Sequence, residues 1–261
     1  AVKVGDSDVA ITVSDAVTVA AGKTIANSTT GTVTISAVTD SAANFLNVNA
    51  IHDNFKVITD ESGCDNINLI VNTGATTNIA QSLALIAVIG SGSFTVTDGV
   101  SDTSANILQR NGSNVAQFTN INTIVAKTNN IKLTQASGTM TIDEGNTFTG
   151  KTTGTITYTG GISDVVANID DTKLGNIQSE DADFGITITD VVTVVNALAV
   201  VGKTSGSAAF TVGISDTSAQ LKSGGTAFAN IDTIVAKDAD VTIVQASGIF
   251  TINEANTLVG K

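Results

Sequence analysis

Short stretches in which aliphatic and hydroxyl side chains alternate recur along the chain, as in Ile11-Thr12-Val13-Ser14 and Ile186-Thr187-Ile188-Thr189. A period of two puts the aliphatics on one face and the Thr side chains on the other, which predicts strands with one core face and one wet face. A second class of strand is opened by Gly31, Gly92, Gly154 or Gly206 and runs into a Ser/Thr-Asp step, whose acids are Asp40, Asp102, Asp164 and Asp216. Thr39, Ser101, Ser163 and Ser215 stand where a helix N-cap belongs, and the following Asp adds negative charge to a first turn. A short helix is expected there. The Asn-Ile pairs at Asn120, Asn176 and Asn230 then read as turns leading back to the next strand.

These elements repeat in a fixed order. The stretch INTIVAKTNNIKLTQASGTMTIDEGNTFTGK, ending at Lys151, matches IDTIVAKDADVTIVQASGIFTINEANTLVGK, ending at Lys261, without a gap at an offset of 110 residues. The Ser/Thr-Asp acids are spaced 62, 62 and 52 residues apart, so that offset spans two repeats. A third element places Gly thirteen residues after Thr18, Thr141 and Thr193. The chain therefore reads as one elongated array over residues 1–261, with repeats at about 1–55, 56–122, 123–177 and 178–230 and an incomplete one at 231–261. Repeats that cannot bury their own apolar faces must stack on their neighbours. The expected fold class is all-β, a β-rich repeat protein with short helical turns. A parallel β-solenoid is favoured, and tandem small β-sandwiches are the alternative.

Composition narrows the partners. With 42% hydrophobic and 14% charged residues the chain can bury a core. Its aromatic content of 4% makes that core one of Val, Ile, Leu and Ala. Proline is absent, so Gly, Asn and Asp make the turns. A net charge of -12 argues against nucleic acid or an anionic membrane as partner and favours cations. The apolar run from Ile79 to Ile89 is too short to span a bilayer. A single cysteine, Cys64, allows no intrachain disulfide and reads as a small apolar residue.

The most specific polar signal precedes the strands. Asp6 and Asp8, Asp181 and Asp183, and Asp238 and Asp240 form D-x-D pairs at equal distance from Ile11, Ile186 and Ile243. Stacked repeats would bring these carboxylates together, and calcium, with six to eight oxygen ligands, is the cation they would suit. Ordinary strand-start turn chemistry explains the same residues, because Asp and Asn bond their own backbone. Thr pairs at Thr32 and Thr34, Thr95 and Thr97, Thr155 and Thr157, and Thr187 and Thr189 could form an ice-binding ladder, or simply follow strand propensity. Catalysis finds little support: there is one His, one Cys and one Tyr, and His52 lies in a polar run. The Gly-Lys-Thr steps at Gly22, Gly150 and Gly202 lack a consistent leading Gly for a phosphate loop and read as a structural turn. No enzyme is expected.

The phrases GTVTIS, VSDTSANIL and GISDTSAQL resemble the repeat arrays of large bacterial secreted surface proteins, a group with hemolysin-type calcium-binding and adhesin-like members. The resemblance covers nearly the whole chain and implies an extracellular or cell-surface location and a structural or adhesive role. The calcium-binding nonapeptide GGxGxDxUx is absent. Both chain ends present partial repeats, whose open edges lead to the expectation of self-assembly, end to end or side by side, into a filament or surface layer. The alternatives are an adhesin or calcium-dependent stalk segment, with the irregular stretch Asn47 to Cys64 as its candidate patch, and an ice- or ligand-binding solenoid.

Overall fold

The computed structural model describes residues 7–72, 74, 76–223 and 228–261. Residues 1–134 with 151–155 form one compact unit, and residues 135–150 with 156–261 form a second. The first contains β1 (Ile11–Val17), α1 (Val19–Ala26), β2 (Val33–Asp40), α2 (Ala42–Phe45), β3 (Leu46–Asn47), β4 (Ala50–Ile51), α3 (Asp53–Thr59), β5 (Asn68–Val71), α4 (Ile79–Val88), β6 (Phe94–Val96), β7 (Val100–Thr103), α5 (Ser104–Leu108) and α6 (Thr119–Val125). Strand β8 (Leu133–Ser137) begins in the first and ends in the second. The second continues with α7 (Ile142–Thr149), β9 (Ile156–Tyr158), β10 (Ile162–Asp164), a 3-10 turn (Val166–Asn168), α8 (Asp171–Glu180), β11 (Ile186–Ile188), α9 (Val194–Val201), β12 (Ala208–Phe210), β13 (Ile214–Thr217), α10 (Ser218–Leu221), α11 (Ala229–Val235), β14 (Ile243–Ser247) and α12 (Ile252–Val259).

The fold is mixed α/β and not all-β: among the described residues helix, at 36%, exceeds strand, at 24%, and the strands lie in several small sheets. This overturns the all-β expectation in both of its forms, the β-solenoid and the tandem sandwiches. The filament, expected from the open edges of partial repeats, is not supported by this mixed α/β architecture either. The physical reason lies in the connections. Strands β1, β2, β5 and β6 are hydrogen-bonded side by side and run parallel, as do β10, β11 and β12, and β13 with β14. A parallel neighbour can be reached only by a crossover of a dozen or more residues, and a helix is the usual way to satisfy that backbone.

The helical crossovers follow from local sequence. Thr18, Thr141, Thr193 and Thr251 are N-caps whose hydroxyls accept a backbone N–H of the first turn, and Asn78 does the same for α4. Behind these caps the buried positions fall at helical spacing, as Val194, Ala197, Val200 and Val201 do in α9. The short helices expected after each Ser/Thr-Asp step are present as α2, α5, the 3-10 turn and α10, but the step itself ends a strand. The cap is Ser41, Thr103, Val165 or Thr217, the residue after the acid. Asn120, Asn176 and Asn230 lie inside α6, α8 and α11, so they are not the expected turns.

The Gly-led strands begin where expected, two residues after each glycine, and their spacing has a steric cause. A Cβ on Gly31 would lie 2.1 Å from the Asp8 carbonyl oxygen, and one on Gly206 would lie 2.1 Å from that of Asp183. Only glycine permits this approach of two backbones. Beside these contacts, Thr29, Thr152 and Thr204 each donate a hydroxyl across the turn, to the carbonyls of Val9, Ile131 and Phe184, and accept the N–H of Gly31, Gly154 and Gly206. The core is aliphatic, with rings set into it, including the edge-on pairs Phe45–Phe55 and Phe148–Tyr158 at 4.9 and 5.9 Å.

Candidate functional site

The four Ser/Thr-Asp acids share one geometry. Asp40 Oδ2 accepts the N–H of Val19 at 3.0 Å, Asp102 that of Ile79 at 3.0 Å, Asp164 that of Ile142 at 2.9 Å and Asp216 that of Val194 at 3.1 Å. Each of those N–H groups opens a crossover helix 21–23 residues earlier in the chain. The other carboxylate oxygen accepts the N–H of the next residue, and in three cases the side-chain amide four residues on, from Asn44, Asn106 or Asn168. The acid thus caps its own short helix and the first turn of a helix on the neighbouring crossover. Charge-assisted bonds at a positive helix end are the strong kind.

The D-x-D residues divide between similar duties. Asp181, which is buried, accepts the Tyr158 N–H at 2.6 Å, and Asp238 accepts that of Phe210 at 2.7 Å. Burial pushes the Asp181 carboxyl above its ordinary range, and its hydrogen bond to Asp183 pushes the same way. Asp183 and Asp8 contribute the carbonyls that face Gly206 and Gly31. Asp240 lies in the turn before β14, and Asp6 lies outside the described residues. Calcium needs six to eight oxygens around one point. Among the described residues no three His, Cys, Asp or Glu side chains gather closely enough to hold a metal ion.

His52 caps α3, its Nδ1 accepting the Asn54 N–H at 3.1 Å. Cys64 is buried against the Val33 carbonyl, and burial raises its thiol pKa, which suits an inert core residue. Gly22-Lys23-Thr24 lies within α1, whereas Gly150 and Gly202 close α7 and α9, so the recurrent turn holds at the latter two only.

The irregular stretch Asn47 to Cys64 folds into the β3–β4 hairpin and α3. Its Asn49 joins Asn78, Asp102, Asn106, Gln109 and Asn120 around a cavity of about 330 Å³ in the first compact unit. Its polar wall is mainly carboxamide, and nothing in the spacing of these residues along the sequence announces their convergence. No helix among the described residues is long and apolar enough to cross a membrane. Compared with known proteins, the chain matches no family model, no curated protein and no solved structure.

Proposed function

We propose that this chain is a non-catalytic structural segment of an extracellular or cell-surface protein, in the manner of a surface-layer or stalk module. The observation that carries the reading is the use made of the recurring residues. The Thr caps, the close-approach glycines and the Ser/Thr-Asp acids, which repeat most regularly, are engaged in joining consecutive crossovers. The acidic surface and the likeness of the repeats to secreted arrays point to the outside of a cell. Treating intact producing cells with proteinase K tests this: peptides of this chain should be released before lysis, and recovery only after lysis would refute the location.

A second reading has one observation in its favour: Asn49, supplied by the inserted hairpin, completes a carboxamide-lined cavity. Carboxamides offer both donors and acceptors, as a polyhydroxylated ligand such as a glycan requires. A glycan array probed with the intact chain and with Asn106→Ala tests it; binding unchanged by the substitution, or no binding, would remove this reading.

A further inference from the structure

Five crossover helices begin alike, at N-caps Thr18, Asn78, Thr141, Thr193 and Thr251. In the first four, the opening N–H is held by an Asp carried on the following Gly-led segment. In the fifth, α12, the Ile252 N–H has no acceptor among the described residues.

The same stretch 110 residues earlier shows what belongs there. Ile142, the counterpart of Ile252, is 0% exposed, whereas Ile252 is 81% exposed. Gln135 is buried, and its side-chain amide donates to the carbonyls of Gly138 and Gly161. Its counterpart Gln245 is exposed and makes only the local bond, to Gly248. Met140 forms a parallel bridge to Ile162, its N–H donating to the Gly161 carbonyl and its own carbonyl accepting the Ser163 N–H. Among the described residues strand β14 pairs with β13 alone, and Val259 of α12 is 89% exposed.

We propose that the face formed by β14 and α12 is the docking site for a Gly-led repeat segment, the kind that follows Lys151. The segment lies parallel to β14, covers Ile252 and Leu258, and places its Ser/Thr-Asp carboxylate on the Ile252 N–H. The face continues the interface already formed four times within the chain, and an unsatisfied positive helix end next to exposed aliphatics is complementary to such a segment. A second copy does not supply it. The Gly-led strands β2, β6, β9 and β12 are already paired, and β1 corresponds to β11, which is of the other class. This inference goes beyond the structural reading above and stands without it.

The test uses the intact chain and a peptide with the sequence of residues 152–169, read by hydrogen exchange over Ile243–Val259. Saturable slowing of exchange by at least about tenfold, centred on Ile252, is expected, and it should be lost in the same peptide carrying Asp164→Ala. A fusion of the same sequence after Lys261, with and without that substitution, repeats the comparison free of peptide solubility. No slowing in either format, equal slowing by a scrambled sequence, or protection that grows with protein concentration alone would overturn the proposal.

Discussion

At the residue scale, one side-chain type does two jobs, at helix ends and at strand ends. The half-exposed Asp40, Asp102 and Asp216 accept the N–H groups of helix ends, while Asp181 is enclosed beside Asp183. Because burial raises the Asp181 pKa above its unfolded value, the folded chain holds that proton more tightly. The linked stability is therefore present at pH values below the ordinary carboxylate pKa and is lost as pH rises through the raised one. Asp181→Asn, which keeps a carbonyl oxygen for the Tyr158 N–H and removes the charge, should raise the melting temperature at pH 7. At pH 3 it should change it little. Equal shifts at both pH values in thermal melts would show that the charge is not the cause. These duties were only half legible. The recurrence of the acids was plain in the sequence, and so was their capping character, but the N–H groups they hold lie 21–28 residues away, beyond any local motif.

At the element scale, the strands were legible and the main helices were not. Alternation located β1, β11 and β14 at Ile11, Ile186 and Ile243, and the glycines located β2, β6, β9 and β12. The crossover helices escaped because Thr and Val, abundant here, were credited to strand propensity, whereas Thr18, Thr141 and Thr193 are capping residues in front of amphipathic turns. Thr193→Ala should cost about 1 kcal/mol in urea denaturation. An unchanged midpoint would mean that α9 is held by packing alone. Gly206→Ala sets a Cβ against the Asp183 carbonyl and should destabilise by about 1–3 kcal/mol, as overpacking does. A neutral result would show that the two backbones can separate without loss.

At the scale of the whole molecule, the repeats specify a chain of strand-and-helix crossovers in two compact units, each joined internally by the same few polar contacts. The fixed order of elements was readable from the gapless match at an offset of 110 residues, yet fold class was not, because a parallel strand array fits both a strand-only and a helix-connected repeat. The amide-lined cavity was illegible for a simpler reason: Asn49, Asn78 and Asn120 meet only after three crossovers have been laid down. If the repeated acids act on backbone N–H groups and not on a cation, adding calcium or a chelator should leave the melting temperature of the unaltered chain unchanged.

The most direct measurement is urea denaturation of Asp164→Ala beside the unaltered chain, each in calcium and in chelator. The backbone-clamp reading predicts a loss of about 1.5–3 kcal/mol, the range for hydrogen bonds to a charged group, and the same loss in both conditions. A loss seen only in calcium, with the unaltered chain weakened by chelator to the level of the variant, would contradict it and make the acids metal ligands.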